Sequence, residues 1–248
     1  MCVLLRRRTL ALTNTAALCV GCGIFMAYVP LAAIAQAPRP TGYGFGLSVA
    51  AGGALLIPHG VTQILAGAWT GGLCARIGSR ATLIIGTSLN ASTVAAITAF
   101  HGSPFSLLVA GGVLGLGQAF ALTAMANLVV GAVAAGDVGI ATGINGVMRR
   151  VGMALGSAMS AAMVASGSAT GLPTERAYAV AFAVAACVTA GASFCAVAIR
   201  RPAGGVTRAA HSCSSSPVRR LGELGGAAAA TLGEEVFLDI ARQVTTVN

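Results

Sequence analysis

Residues 81–136 read ATLIIGTSLNASTVAAITAFHGSPFSLLVAGGVLGLGQAFALTAMANLVVGAVAAG, and no Asp, Glu, Lys or Arg occurs among them. A helix that spans the hydrocarbon core of a bilayer needs roughly 20 apolar residues. The run is therefore too long for one span, and the sequence His-Gly-Ser-Pro at residues 101–104 provides a turn in its middle. This stretch predicts two membrane-spanning helices joined by a short turn.

The rest of the chain continues the same pattern. Only 8% of its residues are charged, whereas soluble domains carry about a quarter. Four further stretches lack charged residues altogether, namely residues 9–38, 40–75, 151–174 and 177–199. We therefore expect an all-α membrane protein, a bundle of six transmembrane helices. The predicted spans are residues 10–35, 47–75, 82–100, 104–134, 139–166 and 177–199.

The arginines predict how the spans are oriented. The chain has no lysine, and its arginines flank the apolar runs. If the N-terminus is cytoplasmic, only Arg39 and Arg176 fall outside, and an excess of basic residues inside is the usual arrangement. The inside set is then Arg6, Arg7, Arg8, Arg76, Arg80, Arg200 and Arg201. We expect a plasma-membrane protein with a cytoplasmic segment at 1–9, a membrane domain at 10–200 and a cytoplasmic tail at 201–248.

The two alternatives to this interpretation are a cleaved signal peptide at the N-terminus and a nucleic-acid-binding protein. The basic start, the apolar run and the sequence AIAQA at residues 33–37 also fit a signal peptide. A signal peptide's apolar region has about 7–15 residues and this run is nearer about 25, which favours an uncleaved span. The net charge of +9 would suit a nucleic-acid partner. Because the arginines flank spans and are not interleaved with aromatic residues, we expect no nucleic-acid binding.

Polar side chains inside spans are the candidate substrate path. Such residues are costly in a membrane and usually mark a functional site. His59 and Gln63 lie four residues apart on one face of the second span, beside a kink expected at Pro58. Gln118 and Asn127 lie in the fourth span. The alternative is that the amides only join neighbouring helices by hydrogen bonds.

The fifth span carries a pair of charges in its interior. Asn145 and Arg149 share one face, and Arg150 points about 100° further around the helix. An unpaired charge at that depth costs about 2–3 kcal/mol or more. We therefore expect Arg149 to reach a backbone carbonyl or a helix C-terminus near the cytoplasmic side.

Glycines at G-x-x-x-G spacing indicate where helices approach closely in lipid. Such spacing occurs four times within the predicted spans and predicts close packing at each place. The pairs are Gly67 with Gly71, Gly111 with Gly115, Gly139 with Gly143, and Gly152 with Gly156.

Three segments resemble one known family. Residues 71–80, GGLCARIGSR, resemble the cytoplasmic loop motif of the major facilitator superfamily, although Ala75 stands where the motif often has an acid. Residues 139–156, GIATGINGVMRRVGMALG, resemble the opening of the penultimate helix in the 14-helix drug:proton antiporter branch. Residues 8–14 resemble the start of the first helix in that branch's C-terminal half. The resemblance covers about residues 5–200.

The resemblance implies a structural or gating role for eight residues. They are Gly72, Arg76, Gly78, Arg80, Asn145, Arg149, Gly152 and Gly156. It also implies an exporter of drugs or small metabolites that works by alternating access between two half-bundles, of which this chain is one. The chain would then need an N-terminal half or a second copy, besides lipid and a small-molecule substrate. No acid lies within a span, so no proton-coupling residue is assigned here.

Two other functional classes remain open at this point. One is a non-transporting membrane protein or an inactive remnant whose helices serve assembly. The other is a membrane-embedded enzyme, which is disfavoured because no catalytic triad, paired carboxylates or histidine-cysteine cluster is recognisable in the sequence. We accordingly expect no enzymatic activity, no cofactor and no metal site.

Overall fold

The computed structural model describes residues 2–99, 103–167 and 173–199. Every regular element within these ranges is helical, which confirms the all-α membrane bundle. The predicted tail at 201–248 and the first residues of the turn at 101–104 lie outside the described residues.

Seven α-helices account for most of the described chain. They are α1 Cys2–Gln36, α2 Val49–Ala54, α3 Ile57–Ile77, α4 Ser79–Ala99, α5 Pro104–Ala132, α6 Val138–Ser166 and α7 Glu175–Ala198. Five segments among them are long and apolar enough to cross a membrane, with α2 and α3 forming one such segment together. The exception is α6. It has the same length as α5, 29 residues, but it is less apolar because Asn145, Arg149 and Arg150 lie in its interior.

The second predicted span is interrupted at its proline. A continuous helix kinked at Pro58 was expected, and that prediction is wrong in detail, because α2 ends at Ala54 and α3 begins at Ile57. Pro58 lies in the first turn of α3. Proline is tolerated there because the backbone N–H that it lacks would have no partner within the helix. The break therefore falls immediately before the proline.

The helix α1 lies at the centre of the bundle. It packs along α6 and α7 and also touches α5, while α5 packs against α3 and α4. In an 18-residue apolar stretch of the first span 61% of the residues are buried, compared with 11% in the corresponding stretch of the span that contains α3. The helix α3 packs mainly against α5, and α6 packs mainly against α1, so the two helices lie at different edges of the bundle. We call their exposed sides the open flanks, marked by Ile64 and Trp69 on α3 and by Ile140, Val147 and Val151 on α6.

Glycines allow a close contact between the backbones of α1 and α6. A Cβ atom at Gly152 would meet the backbone of Leu18, and one at Gly156 would meet the backbone of Cys22. The fit is reciprocal, because a Cβ atom at Gly21 of α1 would meet the backbone of Arg149. The two backbones thus touch directly, as small residues allow in lipid.

The four G-x-x-x-G pairs divide into two classes. Gly111 and Gly115 also mediate a backbone contact, with Leu55 and with His59 at the start of α3. Close packing is therefore confirmed for two pairs. For the other two it is wrong within the described chain, because no heavy atom lies within 4 Å of the added Cβ at Gly67, Gly71, Gly139 or Gly143. These four glycines face outward on the open flanks.

Candidate functional site

His59 is paired with a tyrosine of the central helix. The hydroxyl of Tyr28 lies 2.9 Å from Nδ1 and 2.8 Å from Nε2 of His59, and the tautomer decides which group donates. The two rings meet edge to face, with centroids 5.3 Å apart and an interplanar angle of 80°. This contact joins α1 to α3, which otherwise scarcely touch.

Sequence reasoning did not single out Tyr28. A signal was available, because the chain has only three tyrosines and this one lies in the middle of an apolar run. A tyrosine hydroxyl in such a place usually has a hydrogen-bond partner when buried. His59, the most polar residue of the neighbouring apolar span, was the natural candidate.

The three amides of the predicted substrate path have different surroundings. Gln63 is partly exposed on α3, and Asn127 is exposed on α5. Gln118 is only 5% exposed, and its Oε1 atom has no hydrogen-bond partner in the described chain. The same is true of both amide atoms of Asn90 in α4, which is fully buried. The structure shows no hydrogen bond between any two of the four predicted path residues in its described part.

Asn145 joins the fifth predicted span to the central helix. Its Nδ2 atom donates to Oδ1 of Asn14 at 3.0 Å and to the carbonyl of Thr13 at 3.4 Å. Asn14 and Tyr28 are fourteen residues apart on α1, which is about 21 Å along a helix. The central helix therefore carries two polar contacts, one to α6 in its first half and one to α3 in its second half.

Arg149 lines a cavity between α5 and α6. The cavity has a volume of about 200 Å³. Its walls are formed by Leu122, Ala126, Val129, Thr142, Asn145, Gly146 and Arg149. Arg149 is partly buried, whereas Arg150 is exposed, as their different directions around α6 require.

The carbonyl acceptor expected for Arg149 is not found. Within the described residues Arg149 makes neither a hydrogen bond nor an ion pair. The unpaired carbonyls at the C-terminal end of α7 accept hydrogen bonds from Arg80 instead. Arg149 lines the cavity between α5 and α6.

Arg80 anchors the end of α7. Its Nε atom donates to the carbonyl of Ala196 at 3.4 Å, and its Nη2 atom donates to that of Val197 at 2.5 Å. The helix ends at Ala198, so these carbonyls belong to its last turn and lack partners within the helix. A cation is favourable there, at the negative end of the helix dipole. Arg80 thus ties the start of α4 to the end of α7.

The predicted loop motif is mostly helical. The helix α3 continues through Gly72 and Arg76 to Ile77, and α4 starts at Ser79, so Gly78 alone separates them. Gly78 has φ +89° and ψ 146°, a backbone conformation that glycine adopts without a steric penalty. Gly72 and Arg76 are exposed on α3.

We expect Arg80→Ala to destabilise the bundle by about 1–3 kcal/mol, because two carbonyls lose a charged donor. Arg76→Ala is the matched control, since Arg76 is exposed in the same motif and should change stability by less than about 0.5 kcal/mol. The measurement is unfolding of the purified chain in mixed micelles, followed by circular dichroism. Equal loss of stability in the two variants would contradict the anchoring role of Arg80.

The comparisons with known proteins agree with this architecture. The search of curated proteins found no match. The chain matches the Major Facilitator Superfamily over residues 11–238, a range that includes all of the membrane-spanning helices except the first turns of α1. Members of that family are transporters embedded in lipid that bind small-molecule substrates. Because the match covers nearly the whole chain, this protein belongs to the Major Facilitator Superfamily and is a multi-pass membrane transporter.

Proposed function

We propose that this chain forms one half of an exporter that moves drugs or small metabolites across the plasma membrane by alternating access. The second half-bundle is either an N-terminal half of the antiporter type or a second copy of the chain. In such transporters the two bundles rock against each other around a site near the midplane. Membership of the family supports transport, and the resemblance of residues 139–156 to the 14-helix antiporter branch supports export.

The observation that carries this proposal is the polar character of the exposed surface beside α6. Asn127 is exposed within α5, and Arg149 lines the cavity between α5 and α6. Polar side chains inside spans usually face a bundle interior or a water-filled cavity, since exposure to hydrocarbon is costly. A partner bundle that encloses water on this side would remove that cost.

The open flanks also suit a partner. The outward-facing pairs Gly67 with Gly71 and Gly139 with Gly143 leave the backbones of α3 and α6 accessible. Small residues at this spacing allow another helix to approach closely in lipid. Trp69 on α3 is 83% exposed and offers a large contact area next to these glycines.

The arginine distribution supports cytoplasmic placement of both termini. The two acids in the described chain, Asp137 and Glu175, lie at the starts of α6 and α7 and not in the interiors of these helices. Proton coupling, if export uses it, would therefore depend on carboxylates of the second bundle.

Photo-crosslinking tests whether a partner covers the open flanks. We expect a benzoylphenylalanine placed at Trp69 to crosslink to protein in native membranes, either to another copy or to a separate half-bundle. The matched control is the same residue at Phe194, which is 76% exposed on α7 and should crosslink only to lipid. Mass spectrometry of the products identifies the partner. Protein crosslinks from position 194 but none from position 69 would contradict the proposed arrangement.

A further inference from the structure

We propose that the cavity between α5 and α6 binds the oxyanion of an amphipathic molecule, a carboxylate or a phosphate, through the guanidinium group of Arg149. The proposal rests on the proposed transport function, because Ala126, which lines the cavity, precedes the exposed Asn127 of the proposed substrate path.

Among the polar side chains that line this cavity, Arg149 is the one whose donors have no hydrogen-bond partner in the described chain. The hydroxyl of Thr142 donates to the carbonyl of Val138 at 2.7 Å. The amide nitrogen of Asn145 directs its two hydrogens to Asn14 and to the carbonyl of Thr13. The guanidinium group, with five N–H donors in a planar fork, makes no hydrogen bond to a described residue. Its geometry matches two oxygens of a carboxylate or phosphate.

The charged side chains of α5 and α6, the two helices that form the cavity, are all basic. Arg150 follows directly on α6, and no Asp or Glu occurs in α5. Along α6 the nearest acid is Asp137, which precedes the helix by one residue and lies twelve residues before Arg149, about 18 Å away along the axis. Within the described part of the chain the cavity therefore has an uncompensated positive charge that a bound anion would neutralise.

The size and the walls of the cavity restrict the ligand further. The volume of about 200 Å³ is smaller than the roughly 300–1,000 Å³ of most ligand pockets. Leu122, Ala126 and Val129 supply an apolar wall opposite the arginine. The ligand is thus an oxyanion attached directly to a small apolar group, or the charged end of a longer amphiphile. A cytoplasmic organic acid and an anionic lipid headgroup both have this chemistry.

Binding of benzoate to the purified full chain in a neutral detergent tests the site, with benzyl alcohol as the uncharged analogue. We expect Arg149→Gln to weaken benzoate binding roughly 10- to 100-fold, which corresponds to the loss of a charge-assisted hydrogen bond. Arg150→Gln is the matched control, because it removes the same charge from the exposed neighbour, and it should change binding by less than about twofold. The readout is isothermal titration calorimetry.

Retention of phosphatidylglycerol, compared with phosphatidylcholine and measured by native mass spectrometry, distinguishes the two sources of the anion. If phosphatidylglycerol is retained by the parent, displaces benzoate and is lost from Arg149→Gln, the anion is a lipid headgroup. If benzoate binds and phosphatidylglycerol does not compete, the anion is an organic acid. Either outcome supports an oxyanion site at Arg149.

The proposal is overturned if benzyl alcohol binds as tightly as benzoate, or if Arg149→Gln and Arg150→Gln bind both anions alike. Should Arg149→Gln fail to fold, Ala126→Leu provides a second test, since it fills the cavity and should reduce benzoate binding while Arg149 stays in place.

These assays measure binding without transport. Binding with no export by any assembly would therefore refute only the transport proposal, whereas export without anion binding would refute only this one.

Discussion

The variant Gly156→Leu should yield little folded protein, whereas Gly143→Leu in the same helix should fold like the parent. At Gly156 an added Cβ would meet the backbone of Cys22, and a leucine has three further carbon atoms to accommodate. Backbone cannot move aside as a side chain can, so α1 and α6 would have to separate. Overpacking in a well-packed core costs about 1–3 kcal/mol and sometimes more, and here we expect about 3 kcal/mol or more.

The measurement is the melting temperature and the monodisperse yield of each variant in the same detergent. Gly143 is a suitable control because it has the same residue type, helix and motif spacing, yet no atom lies within 4 Å of its added Cβ. If Gly156→Leu melts at the temperature of the parent, or if Gly143→Leu is the less stable variant, the contact between α1 and α6 is misplaced.

The chain reconstituted as a monomer should show no export above that of protein-free vesicles, and export should appear when a partner bundle is present. One bundle cannot close a central path on alternate sides, and the open flanks of α3 and α6 remain uncovered without a partner. The assay is proteoliposomes loaded with a fluorescent amphipathic dye under an imposed proton gradient. Photobleaching steps of a fluorescent label count the chains in each vesicle.

The Gly143→Leu variant provides the control for this experiment as well. Its bulky side chain on the open flank of α6 should leave the single bundle folded but hinder the approach of a partner helix. We therefore expect it to be stable and to lose export in the assembled state. Robust export by vesicles that contain one parent chain each would refute the need for a partner.

Local signals in the sequence predicted several helix boundaries to within a few residues. The predicted start of the fourth span at Pro104 is the start of α5, and Ser103 caps it by accepting a hydrogen bond from the backbone N–H of Ser106 at 3.2 Å. Pro58 was expected to kink the second span, and the structure instead interrupts the helix just before this residue. These features depend on residues close together in the chain, where a proline or a cap acts on its own backbone.

Contacts between helices could not be predicted as well from the sequence. The pairs Gly139 with Gly143 and Gly152 with Gly156 have the same spacing in one helix, yet only the second pair touches α1. Likewise, the sequence showed that Arg149 and Arg150 point in different directions but not that the first one faces a cavity beside α5. A helical repeat specifies the angles between side chains and leaves the rotation of the whole helix open.

The amino-acid sequence alone was sufficient for the membrane class, the helical content and the approximate spans, because hydropathy and charge act residue by residue against a bilayer of known thickness. Three features became visible only in the assembled bundle. They are the pairing of Tyr28 with His59, the anchoring of α7 by Arg80 and the outward direction of two of the four glycine pairs. In lipid most faces of these helices are apolar enough to be exposed, so hydrophobicity alone does not determine which face is buried. Backbone fit and a few polar partners between helices make that selection.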